Sequence, residues 1–211
     1  MSIKPILYSY WRSSSSYRVR IALNFKKIEY DYRPIHLVKD GGEQNTKEYK
    51  LLNPSGEVPL FIYDELALGQ SVAIMMYLDR KWPNPPIWPQ NPEQRAMCIQ
   101  LCEIINSGIQ PLQNLKVLKY VDAKFDKMAW GKHWITEGFK TLEQTLQKTN
   151  GKYSVGDEIT SADCFLVPQV YNANRFNVDM EQFPTIKRIN DLCLEHSAFK
   201  ESIPENQPDA S

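Results

Sequence analysis

The sequence lacks an excess of charge of either sign. Its 211 residues include 25 Lys plus Arg and 25 Asp plus Glu, so the formal net charge at pH 7 is zero. A chain without a basic field has no electrostatic means of holding nucleic acid or an anionic membrane surface. We therefore expect small molecules and other proteins as partners, and expect neither nucleic acid nor membrane.

Long hydrophobic runs are also missing. The first apolar run, from Ile6 to Trp11, is short, is interrupted by Tyr and Ser, and is followed by no signal-type cleavage site. No stretch approaches the roughly 20 apolar residues that a membrane-spanning helix requires. We expect a cytoplasmic protein and leave import into mitochondria open.

Cysteine is scarce, and its spacing matches no familiar cysteine site. Of the four cysteines, Cys98 and Cys102 lie one helical turn apart, and Cys164 and Cys193 stand alone in apolar stretches. This is neither a zinc-ligand spacing nor a disulfide framework. We expect all four to pack inside helices in a reducing compartment, and we expect no metal site.

The first eighty residues alternate strand-like and helix-like segments, which predicts a βαβ opening. In chain order the predicted elements are a strand over 5–11, a helix over 14–24, a strand over 30–34, a short helix over 47–52, a hairpin over 59–68, and a helix that Ser71 caps and that runs to about Arg80. The sequence therefore predicts an α/β domain over residues 1–84.

Residues 82–92 are too rich in proline for a helix interior or a central strand, so they mark the domain boundary, with 85–91 as the linker. The second domain, 92–211, is predicted to be all-α. Thr160 to Asp163 has the spacing of a capping box, and the polar end of the chain, 204–211, is expected to be frayed. Three apolar stripes at helical spacing support the all-α prediction: Met97, Leu101, Ile104 and Ile105; Ile135, Phe139, Leu142 and Leu146; and Ile186, Ile189 and Cys193.

Hydroxyl residues stand where the first predicted strand ends and the first helix begins. The stretch is Ser13 to Ser16, inside Arg12-Ser-Ser-Ser-Ser-Tyr-Arg-Val-Arg20. The first amides of a helix have no intrahelical acceptor, so they favour an anion, and a neighbouring hydroxyl can donate one further bond to a thiolate or carboxylate. The alternative is an ordinary N-cap in a polar loop.

Two later stretches can likewise be interpreted either as part of a ligand site or as ordinary local structure. Residues 53–60 place Pro59 after a tight turn, where a cis peptide is plausible and would aim the backbone of Val58 at an extended peptide; the alternative is a rigid turn. Gln70 and Ser71 bring an amide, a hydroxyl and free helical amides to one point, which suits a carboxylate; the alternative is a second cap. Each stretch alone is typical of ordinary structure, but all three occur in order within one domain.

This order resembles the glutathione transferases, and the wording Ser-Ser-x-Ser-x-Arg-Val-Arg-Ile-Ala-Leu from Ser13 to Leu23 resembles their zeta class, the maleylacetoacetate isomerases. The likeness covers nearly the whole chain. Further stretches that carry it are 4–10, 70–71, 108–114, 155–157 and 166–169.

The resemblance implies a thioredoxin-like domain joined to an all-helical domain, glutathione as the cofactor in an extended pose along the first, a second substrate between them, and a homodimer. The implied reaction is the glutathione-dependent cis–trans isomerisation of maleylacetoacetate to fumarylacetoacetate in tyrosine and phenylalanine catabolism. Glutathione transfer and alpha-haloacid dehalogenation are implied as further activities.

The resemblance also implies the site residues. Ser13 would face the glutathione sulfur with Ser14 and Ser15 beside it, and Arg175, or less strongly Arg12, would face a carboxylate of the second substrate. The positions expected to hold glutathione are Ser13, Ser14, Ser15, Ser16, Tyr17, Arg18, Gln44, Val58, Gln70, Ser71, Gln110 and Asn114.

Two residues depart from the family pattern. The motif commonly reads Ser-Ser-Cys, but the third position here is Ser15, which cannot form a mixed disulfide, so thiol exchange is not expected. Lys116 stands where relatives often carry a small polar residue. Two alternatives therefore stay open: a detoxifying transferase that conjugates glutathione with little isomerase activity, and a non-catalytic interaction module of the same fold. The segment from His36 to Glu43 is either a lid over the ligand or a surface loop.

Overall fold

A computed structural model describes residues 3–122 and 124–211, which form two compact units. The first unit ends at Pro86 and also includes Ser197–Ser211, and the second is Ile87–His196. The boundary falls inside the proline-rich stretch that the sequence pointed to. The end of the chain differs from the prediction, which grouped it with the helical domain.

Within the described part of the first unit, four strands form a mixed sheet in the order β2-β1-β3-β4. Their bounds are Ile6–Ser9 for β1, Asp31–Pro34 for β2, Leu60–Tyr63 for β3 and Leu66–Gly69 for β4. β1 is parallel to β2, with Ile6 opposite Asp31, and antiparallel to β3, with Ile6 opposite Ile62. β3 and β4 form the predicted hairpin, and the parallel β1–β2 pair confirms the βαβ opening.

The described part of the first unit also contains four α-helices. They are α1 (Ser14–Phe25), α2 (Lys47–Leu52), α3 (Ser71–Lys81) and, from the end of the chain, α9 (Ser197–Ser202). α1 packs against both α3 and α9, and every residue from Ser16 to Leu23 is buried. The strand-to-helix turn that precedes α1 is therefore held on a fully packed helix.

The prediction of a frayed C-terminus is wrong. Residues 204–206 form a 3₁₀ turn, Pro204 and Gln207 are buried, and Asp209 accepts hydrogen bonds from the main-chain N–H of Trp11 and the hydroxyl of Tyr32. A polar composition predicts fraying only where the backbone has no partners. Here buried groups of the first unit supply those partners.

The second unit is helical in its described part, as predicted. Its α-helices are α4 (Pro92–Glu103), α5 (Leu115–Val121), α6 (Lys127–Thr149), α7 (Ser161–Arg175) and α8 (Pro184–Leu194), with a π-helical turn (Ile104–Ile109) and a 3₁₀ turn (Gln110–Gln113) after α4. The predicted stripes of α6 and α8 are buried throughout. In α4 the stripe is narrower, because Leu101 and Ile105 are buried whereas Met97 is 40% exposed.

The centre of this unit is α7, which is buried along almost its whole length and packs on α4, α6 and α8. Its N-terminus is the predicted capping box: the main-chain N–H of Thr160 donates to the Asp163 carboxylate at 2.7 Å. All four cysteines are free and buried within helices, as expected. Among the helices of the described ranges, none is both long and apolar enough to cross a membrane.

Candidate active site

Ser13 is the N-cap of α1. Its backbone is extended (φ −73°, ψ 117°), its N–H donates to the carbonyl of Tyr10 at 3.0 Å, and its Oγ accepts from the N–H of Ser16 at 3.2 Å. A hydroxyl has two acceptor lone pairs and one proton. Because the capping bond uses a lone pair and leaves the proton, Ser13 can cap the helix and donate to a ligand at the same time.

The following serines form the first turn of α1. The side chains of Ser14 and Ser16 are buried and that of Ser15 is half-buried. The main-chain amides of Ser14 and Ser15 are among those that helix geometry leaves without an intrahelical acceptor. In the described part of the chain, the buried Oγ of Ser16 has no hydrogen-bond partner. This turn therefore offers donors to an anionic or strongly polar group.

A second helix N-terminus in the same unit is joined to α1 by Arg18. The buried guanidinium of Arg18 donates through Nη1 to Oγ of Ser71 at 3.1 Å, and Ser71 is the first residue of α3. Gln70 precedes it as the N-cap, with exposed side chain and left-handed backbone (φ 68°, ψ 116°). Arg18 orients the Ser71 hydroxyl so that its proton remains available. A cation, a hydroxyl and a helix N-terminus together suit a carboxylate.

Val58 lies in a turn that side-chain hydrogen bonds hold in place. The peptide bond between Val58 and Pro59 is cis, and the preceding carbonyl of Glu57 accepts from Tyr49 Oη and Asn53 Nδ2, both at 2.7 Å. The register of β3 begins at Leu60, so the main-chain groups of Val58 lie outside the sheet ladder. The side chain of Val58 packs in one cluster with Tyr10 and Trp11, the residues just before the serine turn.

Gln44 is buried beneath the loop that the sequence marked as a lid or surface segment. Its Nε2 donates to the carbonyl of Leu37 at 3.2 Å, and its Oε1 has no partner among the described residues. The loop closes on itself, since the N–H of His36 donates to the Glu43 carboxylate at 2.6 Å and the N–H of Glu43 donates to the His36 carbonyl at 2.9 Å. Whether this closed loop moves over a ligand stays a prediction.

The remaining predicted positions fall in two places. Arg12 lies beside the serine turn, half-buried, with its guanidinium 5.2 Å from the centroid of the Trp11 ring. Three other positions belong to the second unit. Gln110 is the first residue of the 3₁₀ turn after α4, and Asn114 caps α5 by accepting from the N–H of Lys116 at 3.1 Å. Arg175 is exposed at the end of α7, and its Nη1 donates to Oδ1 of Asn172 at 3.1 Å.

Sequence reasoning missed Arg20. Its buried guanidinium donates to the carbonyls of Tyr10 and Trp11 at 3.3 and 3.0 Å, to Oγ of Ser9 at 3.2 Å, and to the carbonyl of Ser202. Burial lowers the pKa of this guanidinium, and the oxygen acceptors replace its lost hydration. Arg20 thus fixes the end of β1 that leads to Ser13. The sequence did contain a signal for a buried arginine, because Arg18 and Arg20 stand among apolar residues in one predicted helix.

These residues fit glutathione. The tripeptide carries two carboxylates, a thiol and an extended backbone. The first unit offers two helix N-termini with hydroxyl groups, and at Val58 it offers main-chain groups that lie outside the sheet ladder. It also contains buried oxygens, on Ser16 and Gln44, that have no hydrogen-bond partner among the described residues. No group of three His, Cys, Asp or Glu within residues 3–122 and 124–211 is placed to hold a metal ion.

Family models match both parts of the chain: "Glutathione S-transferase, N-terminal domain" over residues 4–80 and "Glutathione S-transferase, C-terminal domain" over residues 115–201. Among curated relatives, a probable maleylacetoacetate isomerase of Drosophila melanogaster is 53% identical over 207 residues, which cover 98% of this chain and 91% of that protein.

Solved structures agree with this match. A bacterial maleyl pyruvate isomerase, described as a zeta-class glutathione S-transferase, is 38% identical with a TM-score of 0.94 and covers 98% of this chain and 100% of its own. The maleylacetoacetate isomerase of Anaeromyxobacter dehalogenans 2CP-1 with bound glutathione is 38% identical with a TM-score of 0.91, covering 100% and 99%.

A second structure of that protein holds dicarboxyethyl glutathione and citrate in the active site; it is 36% identical with a TM-score of 0.90, over 100% and 99% of the two chains. The identities and coverage together place the chain among enzymes with a thioredoxin-like and a helical domain. The chain belongs to the glutathione S-transferase family, in its zeta class with the maleylacetoacetate isomerases.

Proposed function

We propose that this protein catalyses the glutathione-dependent cis–trans isomerisation of maleylacetoacetate to fumarylacetoacetate. The observation that carries the proposal is the geometry of Ser13, whose Oγ accepts from the N–H of Ser16 and keeps its own proton for a ligand at a helix N-terminus. Two of the relatives described above, from Drosophila melanogaster and Anaeromyxobacter dehalogenans 2CP-1, bear the name of this activity, and the second was solved with bound glutathione.

The serine turn is sufficient to make glutathione anionic. A free thiol has a pKa near 8.5, so a dominant thiolate at neutral pH needs a shift of about two units, or about 2.7 kcal/mol. A hydrogen bond to a charged group contributes roughly 1.5–3 kcal/mol, and a helix N-terminus roughly 0.3–1 kcal/mol. Ser13 and the first turn of α1 together reach the required amount, so no cysteine of the protein is needed.

Each residue of the first unit then has a separate task. Ser13 donates to the sulfur, Val58 pairs its main chain with the extended peptide, and Ser71, oriented by Arg18, donates to a carboxylate together with the first amides of α3. Bound glutathione supplies the sulfur nucleophile, which adds reversibly to the conjugated cis double bond and allows rotation before it leaves.

The substrate of this reaction is a dicarboxylate, so a cation is required to hold it. We assign that task to Arg175, whose guanidinium is oriented by Asn172 and whose planar fork matches a carboxylate, with Arg12 as the second choice. The maleylacetoacetate isomerase of Anaeromyxobacter dehalogenans 2CP-1 holds citrate in its active site together with dicarboxyethyl glutathione, which supports a small anionic substrate for this chain.

The test is a direct assay with maleylacetoacetate, with and without glutathione, on the wild-type chain and on Ser13→Ala. We expect isomerisation that depends on glutathione and falls in the variant. A wild-type protein that binds glutathione but leaves the cis isomer unchanged would contradict the proposal.

A second candidate is the conjugation of glutathione to electrophiles, together with alpha-haloacid dehalogenation. The observation that favours it is Ser15, half-buried in the first turn of α1 at the position where the family motif commonly has cysteine. Assays of the wild type and Ser15→Cys separate the two functions. Isomerase activity that appears only in Ser15→Cys, beside conjugation in the wild type, would favour this second candidate.

We also infer that the chain works as a homodimer in the cytoplasm. The homodimer follows from the family resemblance, and Met76 on α3 and Met97 on α4, which are 46% and 40% exposed, are candidates for contacts with a partner subunit. The buried free cysteines suit a reducing compartment. Light scattering on the purified protein tests the first inference, and cell fractionation tests the second.

A further inference from the structure

The end of the chain contacts the strand-to-helix turn that precedes the serine site. Asp209 accepts through Oδ2 from the main-chain N–H of Trp11 at 3.0 Å and through Oδ1 from the hydroxyl of Tyr32 at 2.6 Å. Ala210 packs on the cluster that contains Tyr10 and Trp11. All of these residues belong to the first unit. Residues 202–210, here named the C-terminal segment, therefore touch the chain two positions before Ser13.

Trp11 is held through both of its main-chain polar groups. Its N–H donates to the Asp209 carboxylate, and its carbonyl accepts from Nη2 of Arg20 at 3.0 Å. The same Arg20 donates to the carbonyl of Ser202, at the start of the C-terminal segment. Hydrogen bonds that involve a charged partner are the stronger and more directional ones. The backbone of Trp11 is thus clamped between a carboxylate and a guanidinium.

The surroundings of this clamp keep the Tyr32 hydroxyl protonated. Burial raises the pKa of the Tyr32 hydroxyl, and its hydrogen bond to Asp209 raises it further, so Tyr32 remains a donor to the carboxylate at neutral pH. Arg20 is fully buried and lies near enough to Asp209 for their opposite charges to attract. The charge of the C-terminal segment therefore complements the buried cation beneath the turn.

We propose that Asp209 is a positioning residue for the glutathione site: by fixing the main chain of Trp11, its carboxylate fixes the place of the Ser13 hydroxyl. This rests on the proposed function, in which Ser13 donates to the sulfur. Displacement of a reacting group by about 1 Å can cost about 100-fold in rate. A carboxylate that touches no substrate can therefore influence the reaction through the turn.

The test compares four variants with the wild type. Asp209→Ala removes both acceptors, Asp209→Asn keeps one amide oxygen for the Trp11 N–H, and Tyr32→Phe removes only the second contact. The matched control is Glu201→Ala, an exposed carboxylate of the same region whose main-chain carbonyl, retained in the variant, accepts from Gln207.

Three quantities are measured for each variant: the pKa of the bound glutathione thiol from thiolate absorbance, kcat/KM for glutathione, and the exchange rate of the Trp11 amide hydrogen without ligand. For Asp209→Ala we expect faster Trp11 exchange, a thiol pKa about one unit higher and a roughly tenfold loss of kcat/KM, since one pKa unit is a factor of ten in ionisation. Asp209→Asn should recover most of the loss, and Tyr32→Phe and Glu201→Ala should resemble the wild type.

A lower melting temperature in Asp209→Ala with an unchanged thiol pKa would overturn the inference, because the C-terminal segment would then act on stability alone. If Asp209→Ala does not fold, Asp209→Asn decides the question. A thiolate that is retained or lost together with the protection of the Trp11 amide supports the inference, whereas a change in only one of the two overturns it. A wild type that binds no glutathione refutes the proposed function instead, and Trp11 exchange in the ligand-free variants still decides the structural step.

Discussion

Replacing Ser13 by alanine removes both tasks that we assign to one hydroxyl. The variant loses the acceptor for the Ser16 N–H, a contact of 3.2 Å, and also loses the proton that we propose is donated to the glutathione sulfur. Loss of an N-cap costs roughly 0.5–2 kcal/mol of stability. Because α1 is packed on α3 and α9, the protein should stay folded, and the larger consequence should appear in the thiol.

The size of that consequence follows from the bond that is lost. A hydrogen bond to a charged group is worth roughly 1.5–3 kcal/mol, and one pKa unit corresponds to about 1.36 kcal/mol. Ser13→Ala should therefore raise the pKa of bound glutathione by about one to two units. At any pH below the wild-type value, the thiolate fraction and kcat/KM should fall by about 10- to 100-fold.

The assay is a pH titration of thiolate absorbance in the glutathione complex, with kcat/KM measured on the same preparations. Ser13→Thr keeps both the cap and the donor and should behave as wild type within a few-fold. Ser13→Gly has no side-chain donor but costs only about a few tenths of a kcal/mol as an N-cap, so it should lose the thiolate with little loss of stability. An unchanged thiol pKa in both Ser13→Ala and Ser13→Gly would refute the role of Ser13.

The other predictions concern the ends of the ligands and the helical unit. Ser71→Ala removes the hydroxyl that Arg18 orients at 3.1 Å, so KM for glutathione should rise about tenfold, for a loss near 1.4 kcal/mol, while kcat in steady-state assays stays within a few-fold; a larger fall in kcat than in affinity would contradict this. Arg175→Gln should raise KM for the dicarboxylate substrate and leave KM for glutathione unchanged, and the reverse pattern would reassign the residue. Asp163→Ala leaves the N–H groups of Ser154 and Thr160 without their acceptor, so urea unfolding should show about 2–6 kcal/mol less stability; a loss below about 1 kcal/mol would show that water replaces the carboxylate.

Features set by neighbouring residues were predictable from the sequence. The helix over Ser14–Phe25, the hairpin over 60–69 and the capping box at Thr160 depend on spacing of a few residues, which the sequence displays directly. The cis bond before Pro59 was likewise predicted from a proline that opens a strand. Local rules identify such features because their partners lie within one turn of chain.

Features set by distant residues were not predictable. Asp209 and Trp11 are 198 positions apart, so no local pattern indicates that a polar end of chain folds against the first strand. The same holds for Arg20, whose burial depends on Ser202, 182 positions away. An arginine in a helix is usually solvated, and only the packing of α9 on α1 reverses that expectation. Sequence reasoning named candidate site residues whose contacts lie inside one motif, and it missed residues that support the motif from outside.

A serine at the cap explains why this chain can dispense with a cysteine in its motif. The nucleophilic sulfur belongs to the cofactor, so the protein must provide a donor of fixed position rather than a second thiol. Ser13 is fixed by its bond to Ser16 and by the Tyr10 carbonyl, and these contacts involve no atom of the Ser15 side chain. A serine at position 15 therefore removes thiol exchange from the chemistry of the site, while Ser13, the donor that we propose for glutathione, stays in place.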